Sequence, residues 1–271
     1  MLFGINGATT QKCSLTEDIV IAGKAGYALV ELRKDKMESY LAKNTFTDLI
    51  NLLRNNRVRP FTINAIGMST MQNPAGEAKV LKMTEDFAKS AASIACPWIV
   101  ACPGGKTPKT SWDEIIVKSA KTFGKMADIA WKYRINLSFE FLGFAWSSVQ
   151  TVSEAWAVVQ AANRGNTGIT LDAAHFYSGN SSLAEISTLP REAIAVFHVN
   201  DLVNKPKAKI GDYDRVMPGD GVIPLKSIVT ELNRIGFDGV ASLEIFNHDF
   251  NKKDPLLIAQ TGLKKMKAVV K

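Results

Sequence analysis

The stretch INLSFEFLGFAWSSVQTVSEAWAVVQAANRGNTGITLD, residues 135–172, contains two apolar runs of strand length with a longer segment between them. In the intervening segment SEAWAVVQAANR (153–164), apolar residues recur at intervals of three and four, which predicts an amphipathic helix. Two nearly continuous apolar strands joined through a helix are typical of parallel strands covered on both faces. This stretch therefore predicts one β-α-β unit.

The same alternation extends outward to both ends of the chain. Eight such units favour a closed (β/α)8 TIM barrel, and 271 residues lie within the range of one barrel domain spanning residues 1–271. The predicted strands are LFGI (2–5), YALVELR (27–33), PFTINAI (60–66), WIVAC (98–102), INLSFEF (135–141), GITLD (168–172), AVFHVN (195–200) and VASLEIF (240–246).

The least regular unit follows the sixth strand, where SSLAEISTLPREA (181–193) is short and is interrupted by Pro190. We expect a shortened or displaced helix there, because proline cannot continue the helical hydrogen bonding. A doubly wound open sheet is the alternative architecture. Its usual phosphate-binding fingerprint, G-x-G-x-x-G after the first strand, is absent from GINGATT (4–10), which favours the barrel.

Composition and charge narrow the functional class. Apolar residues make up 46% of the chain and charged residues 22%, as in folded globular proteins. The net charge is +7, but basic residues are spread along the chain among acidic ones, which favours an ordinary solvated surface over a nucleic-acid-binding face. The chain begins without a basic segment followed by a long apolar one, and no membrane-length apolar run occurs. We expect a cytoplasmic protein with neither nucleic acid nor membrane as a partner.

The three cysteines, Cys13, Cys96 and Cys102, cannot form a complete set of disulfides and include no Cys-x-x-Cys pair. We expect them to be reduced and structural. Cys102 ends the fourth predicted strand, and the sequence shows no base that would activate its thiol as a nucleophile. We therefore expect Cys102 to line the cavity at the barrel mouth.

Each of the last four predicted strands contains one polar residue near its C-terminal end: Glu140, Asp172, His198 and Glu244. In a barrel these strand ends converge on one cavity. Taken singly, each residue is explained by a salt bridge or a satisfied core histidine. Three buried carboxylates, however, cannot be neutralised by one imidazole, so the four together predict a site for one divalent metal ion. Three oxygen ligands and one nitrogen ligand suit Mn²⁺, Co²⁺, Mg²⁺ or Zn²⁺.

Two residues follow the predicted ligands at short spacing. His175 lies three residues after Asp172, and Asp201 lies three residues after His198, so we expect both on the loops above their strands. There they could contact a substrate or orient the ligands through hydrogen bonds. A role in holding a turn is the alternative for Asp201.

Other loop residues are also candidates for lining the cavity. Arg215, in DYDRVMPGDG (212–221), could hold substrate oxygens with its planar guanidinium, or could lie on the surface. Trp146, with Phe144, could form a wall of the cavity or serve packing alone. His248, beyond the last strand, is expected on the surface.

On these motifs the chain resembles the xylose isomerase-like barrel superfamily of sugar isomerases and epimerases. Within it, the chain is similar to the inosose (2-keto-myo-inositol) isomerases. The resemblance places the metal ligands of the superfamily on the four residues named above and its substrate-side residues on His175 and Arg215. The motifs that carry it are NGATT, AGYALVELRKDKMESYL, RPFTINAI, SFEFLG, GITLDAAHF, FHVND, DYDRVMPGDGVIPL and VASLEIF.

The resemblance implies proton transfer through an enediolate, with the metal polarising a carbonyl and Glu140 and Glu244 moving the proton. It also implies a possible homo-oligomer. A ketose 3-epimerase and a metal-dependent keto-acid dehydratase remain alternatives on the same barrel. A DNA-repair endonuclease of the AP type is disfavoured, because multi-zinc chemistry needs more histidines than the three present. The loops after strands seven and eight contain no glycine run for a phosphate, which favours an unphosphorylated keto-polyol substrate.

Overall fold

Eight parallel strands close into a barrel in the structure, which is a computed structural model that describes residues 1–270. The strand order around the barrel is β1-β10-β7-β6-β5-β4-β3-β2, so the last long strand closes against the first. The predicted (β/α)8 TIM barrel is confirmed. In chain order the strands are β1 (Leu2–Asn6), β2 (Leu29–Arg33), β3 (Arg59–Ile66), β4 (Trp98–Ala101), β5 (Asn136–Glu140), β6 (Thr167–Asp172), β7 (Ile194–Val199), β8 (Asp201–Leu202), β9 (Arg215–Val216) and β10 (Val240–Leu243).

The helices surround the barrel and begin where the sequence supplies capping residues. The side chains of Ser14, Thr45 and Thr151 each accept a hydrogen bond from the backbone N–H of the residue three positions later. That later residue is acidic, and its carboxylate accepts a bond from the backbone N–H of the cap residue. The helices are α1 (Leu15–Ala25), α2 (Lys34–Leu41), α3 (Phe46–Asn55), α4 (Pro74–Ser93), α5 (Trp112–Trp131), α6 (Val152–Ala162), α7 (Ala173–Ser178), α8 (Leu183–Ser187), α9 (Leu225–Arg234) and α10 (Pro255–Val269).

The unit after β6 departs from the regular pattern as predicted. Two short helices, α7 and α8, replace one long helix, and Pro190 precedes a single 3₁₀ turn at Arg191–Ala193. The expectation of a shortened helix is confirmed. α7 begins directly at the end of β6, which keeps its residues close to the barrel mouth.

A small hairpin interrupts the long connection between β7 and α9. β8 and β9 pair antiparallel, with Asp201 opposite Val216 and Leu202 opposite Arg215. This hairpin brings Arg215 back toward the end of β7, where the connection begins. This hairpin was not predicted, because strands of two residues leave no periodic pattern.

The barrel interior changes from apolar to polar toward the C-terminal ends of the strands. Leu29, Val196 and Val240 form an apolar cluster near the N-terminal ends. Closer to the mouth, the hydroxyl of Thr170 donates to that of Ser138 over 2.8 Å. The polar residues that the sequence places at the strand ends follow above this layer.

The three cysteines are free, and Cys13 and Cys96 are buried. Within residues 1–270, no helix combines the length and the apolar character needed to cross a membrane.

Candidate metal centre

The four predicted ligands meet at the C-terminal mouth of the barrel. Glu140 and Asp172 are the last residues of β5 and β6, His198 lies in β7, and Glu244 directly follows β10. One ligand atom from each residue lies within 4.8 Å of the other three, and all four side chains are buried. The sequence prediction of their convergence is therefore confirmed as a geometric fact.

His198 presents one ring nitrogen to the carboxylates. Its Nδ1 lies 3.0 Å from Glu140 Oε1, 3.2 Å from Glu244 Oε2 and 3.8 Å from Asp172 Oδ2. Its Nε2 lies 3.1 Å from Glu31 Oε2, on the other side of the ring. When Nε2 carries the proton and donates it to Glu31, the lone pair of Nδ1 faces the three carboxylates, as a metal ligand requires.

Glu31 was not predicted from the sequence as part of the site. This residue lies in β2, is buried, and accepts a hydrogen bond of 2.6 Å from the hydroxyl of Thr62. Its signal was the same as that of the ligands, a charged residue within the apolar strand LVELR. Burial raises the pKa of Glu31, but His198 and the hydrogen bonds from Ser242 and Thr62 together outweigh burial, so the pKa is lowered and the carboxylate stays ionised.

Negative charge prevails in this cluster, because the three ligand carboxylates and Glu31 face only one imidazole and one guanidinium, that of Arg215. Burial raises the pKa of Glu140 to about 7. Burial lowers the pKa of His198, but the carboxylates of Glu244, Glu31 and Glu140 outweigh that effect and raise it well above its ordinary value. Carboxylates packed around one imidazole thus draw positive charge into the site. A divalent cation fits this donor set, since three carboxylate oxygens and one imidazole nitrogen are ligands for Mn²⁺, Co²⁺, Mg²⁺ or Zn²⁺.

Arg215 enters the cluster from the β8–β9 hairpin. Its side chain is 1% exposed, and its Nη1 lies 2.8 Å from Asp172 Oδ2 and 3.0 Å from Glu244 Oε2. Its Nη2 lies 3.0 Å from Asp212 Oδ1 and 3.2 Å from His175 Nε2. The surface alternative for Arg215 is excluded. Burial raises the pKa of Asp172, but Arg215 and the neighbouring histidines lower it more, to about 2.

His175 lies above the end of β6, but in the helix α7 and not on the loop that was expected from the sequence. Its backbone N–H donates to Asp172 Oδ1 over 2.8 Å, so Asp172 caps α7 while its other oxygen faces Arg215 and the cluster. Burial lowers the pKa of His175, which favours the neutral ring whose Nε2 can accept from Arg215. The ring of Phe144 meets His175 edge to face at 5.0 Å between centroids.

The chain is similar to known proteins over nearly its whole length. The xylose isomerase-like TIM barrel family matches residues 19–269. The chain belongs to this family. Among its relatives, the inosose isomerase of Bacillus velezensis is 28% identical over 267 residues, which cover 98% of this chain and 95% of that protein. The inosose isomerase of Bacillus subtilis is also 28% identical, over 96% of this chain and 94% of that protein.

A solved structure shows the same likeness. The crystal structure of the IolI protein, which contains a bound zinc atom, superimposes with a TM-score of 0.96 at 28% sequence identity. The match covers 100% of this chain and 98% of that chain. The resemblance to the xylose isomerase-like family that the sequence motifs indicated is thereby confirmed.

The side chain of Asp201, a candidate for substrate contact, is bound instead by backbone amides. Its side chain is buried and accepts hydrogen bonds of 2.9 to 3.0 Å from the backbone N–H groups of Gly219, Gly221 and Ile223. A further bond comes from Leu202 N. With both oxygens engaged by backbone amides, Asp201 holds the loop that leads into α9. The expectation of substrate contact was wrong, and the turn role is what the structure shows.

Other predicted residues line the mouth. Trp146 is 47% exposed and stacks on Phe144 at 5.8 Å between centroids, and both rings border a cavity of about 590 Å³ that reaches Asp212. Cys102 lies within 3.6 Å of Glu140 Oε2, as expected for a residue lining the site, and burial raises the pKa of its thiol. His248 is exposed, as predicted.

Asn200 is a second residue that the sequence analysis missed. Its Nδ2 donates to Asp172 Oδ2 over 2.8 Å and to the backbone oxygen of Glu244 over 3.2 Å. This amide therefore ties two ligand-bearing strands together. An asparagine at a strand end is equally common in turns, so its residue type gave no separate signal.

Glu31→Gln is expected to weaken the affinity for Mn²⁺ by about tenfold or more, because the charge that orients His198 is lost while the side-chain volume is kept. Competition with a chelator of known affinity measures the change. Glu38→Gln, which alters an exposed glutamate of α2, is the matched control and should leave the affinity unchanged. An unchanged affinity in Glu31→Gln would show that His198 is oriented by other contacts.

Proposed function

We propose that this protein is a divalent-metal-dependent isomerase of keto-polyols, with 2-keto-myo-inositol (inosose) as the substrate. The observation that carries the proposal is the convergence of Glu140, Asp172, His198 and Glu244 on one buried point. Full-length similarity to inosose isomerases supports the substrate class. The reaction moves a carbonyl to the neighbouring carbon of a hydroxy-ketone.

The chain supplies two carboxylates for the proton transfer. A divalent cation held by the four ligand residues would polarise the carbonyl of the substrate and so make the neighbouring C–H more acidic. Glu140 and Glu244 both lie against His198 Nδ1, within 3.2 Å, and so flank the same point. One carboxylate removes the proton from the hydroxyl-bearing carbon beside the carbonyl, which gives an enediolate. A proton returned to the former carbonyl carbon, together with transfer of the hydroxyl proton between the two oxygens, completes the isomerisation.

Arg215 and His175 hold the oxygen atoms of the substrate in this proposal. Arg215 is fully buried, and its guanidinium lies against two ligand carboxylates and His175 Nε2 at once. Both of its Nη groups are engaged by carboxylates and by His175, so the Nε–H, which has no partner within residues 1–270, is the donor left for a substrate oxygen. His175 has a ring nitrogen, Nδ1, without a hydrogen-bond partner among residues 1–270, which leaves it free for a hydroxyl. Trp146 and Phe144 form a wall of the cavity beside His175.

The endonuclease alternative finds no support in the arrangement of the histidines. Of the three histidines in the chain, His198 lies in the ligand cluster, His175 faces Arg215, and His248 is exposed and stacked on Tyr213. Chemistry with several zinc ions needs more imidazole ligands at one place. A ketose 3-epimerase would use the same carboxylates, so the choice of substrate separates it from the inosose isomerase.

Removing the metal is expected to abolish the isomerisation of inosose, and adding Mn²⁺ back is expected to restore it. Dialysis against a chelator, followed by NMR analysis of the product with and without added Mn²⁺, measures both steps. A thermal melt before and after dialysis checks that the barrel stays folded. Full turnover in protein shown to be metal-free by elemental analysis would contradict the proposal.

A further inference from the structure

The wall of the barrel mouth formed by β1, β2 and β3 contains polar side-chain atoms that the proposed chemistry does not use. Glu31 crosses the barrel from β2 to reach His198 in β7, so its side chain points inward. Asn6, the last residue of β1, is paired in register with Glu31 and lies on the same inner face. Asn6 also follows Ile5, which is paired with Leu243, and so lies beside Glu244.

Asn64 in β3 completes this wall. It lies two residues after Thr62, whose hydroxyl donates to Glu31 inside the barrel. Side chains two residues apart along a strand share a face, so Asn64 points inward one step closer to the mouth. Asn6, Glu31 and Asn64 thus stand on one side of the mouth, opposite the ligands carried by β5 and β6.

These three side chains keep polar atoms without partners although they are almost fully buried. Asn6, Glu31 and Asn64 are 0%, 1% and 4% exposed. Asn6 Nδ2 and Asn64 Nδ2 have no hydrogen-bond partner within residues 1–270, and Glu31 Oε1 has none there except the hydroxyl of Ser242, which is itself otherwise unpaired. Asn6 Oδ1 accepts from the backbone of Ala8 over 2.9 Å, which fixes the amide so that Nδ2 is the free end. Buried polar atoms are nearly always paired, so these atoms point to something that binds there.

The chemistry of the free atoms identifies the kind of group that fits. Two are amide donors and one is a carboxylate acceptor. A hydroxyl group matches both types, because it accepts from an amide through its oxygen and donates to a carboxylate through its hydrogen. A carboxylate or phosphate on the ligand would instead be repelled by Glu31.

We infer that Asn6, Glu31 and Asn64 form a hydroxyl-binding subsite for the part of a keto-polyol that is remote from its carbonyl. This inference rests on the proposed function, which places the carbonyl end of the substrate at Glu140 and Glu244. The remote hydroxyls of a six-membered ring then extend across the mouth to the β1–β3 wall. The subsite selects a polyhydroxylated ring over a simple hydroxy-ketone.

Binding of two probes to the Mn²⁺-loaded protein tests the inference by calorimetry. Inosose carries the remote hydroxyls, whereas 2-hydroxycyclohexanone has the same carbonyl and neighbouring hydroxyl but lacks them. Asn64→Ala removes one donor, and Asn6→Ser removes the amide of the other while adding no charge beside Glu31. Asn136→Ala, at the opposite end of the barrel in β5, is the matched control.

We expect the unaltered protein to bind inosose more tightly than 2-hydroxycyclohexanone. Each subsite variant should weaken inosose binding by about tenfold, since a hydrogen bond in a buried site is lost, and should leave 2-hydroxycyclohexanone within about twofold. The control should change neither. Equal losses for both probes, or unchanged binding of inosose, would overturn the subsite. Water would then be the partner of these polar atoms.

Two further readouts separate the possible failures. Metal content and melting temperature are measured for each variant, and Asn64→Ser replaces any variant that does not fold or load metal. Isomerisation is followed separately in the same samples. If the unaltered protein shows the expected difference between probes but does not isomerise inosose, the proposed function fails and the subsite stands. If it isomerises inosose but binds both probes equally, the subsite is overturned.

Discussion

Replacing Glu140 or Glu244 with glutamine is expected to lower kcat for inosose by roughly a thousandfold, within the range that a positioned acid or base contributes. Glutamine keeps the volume and one ligand oxygen but cannot accept the proton. The two carboxylates lie within 3.2 Å of Nδ1 of His198. A base farther from this point could not take over the proton transfer of either one. Initial rates at saturating inosose and excess Mn²⁺ measure the effect.

The excess of Mn²⁺ in this assay distinguishes loss of the base from loss of the metal. Metal content is determined in the same samples, and Glu38→Gln on the exposed face of α2 serves as the control that should keep full activity. If either Glu140→Gln or Glu244→Gln retains full activity, the mechanism with two carboxylates is wrong.

Replacing His198 with alanine is expected to lower the affinity for Mn²⁺ by about a hundredfold or more, because the single nitrogen ligand disappears and three buried carboxylates lose their neighbour. The retained metal after gel filtration, measured by elemental analysis, reports the change. His198→Gln, which fills more of the space, is tested in parallel in case the alanine variant does not fold. His248→Ala alters an exposed histidine and should retain metal fully. Full retention by both His198 variants would exclude this cluster as the metal site.

The fold and the ligand set were predictable because both depend on a regular pattern. Eight apolar strands alternate with helices, and the predicted ligands are polar residues at the ends of four successive strands. The helix α2 was not predicted, because KDKMESYL (34–41) is mostly polar and no side chain caps its first turn. Its position depends on packing against β2 and β3 rather than on a signal in its own sequence.

The surroundings of the ligands were harder to predict, for a physical reason in each case. Glu31 interrupts an apolar strand, as Glu140 does. Its partner His198, however, lies across the barrel and 167 positions away in the sequence. Arg215 was left between cavity and surface, because the hairpin that turns it inward is two residues long on each side. Asp201 was misassigned as a substrate contact, since a carboxylate after a strand fits a turn and a ligand equally well until its backbone partners are known.

Proton NMR of the Mn²⁺-loaded protein in D₂O with inosose, alongside a panel of free ketoses, tests whether the protein is an inosose isomerase. We expect deuterium to enter the carbon beside the carbonyl of inosose and a second inosose to appear. Exchange into a ketose alone would contradict the assignment of substrate and favour the epimerase. Absence of exchange from every substrate, in protein shown to contain its metal, would contradict isomerase chemistry altogether.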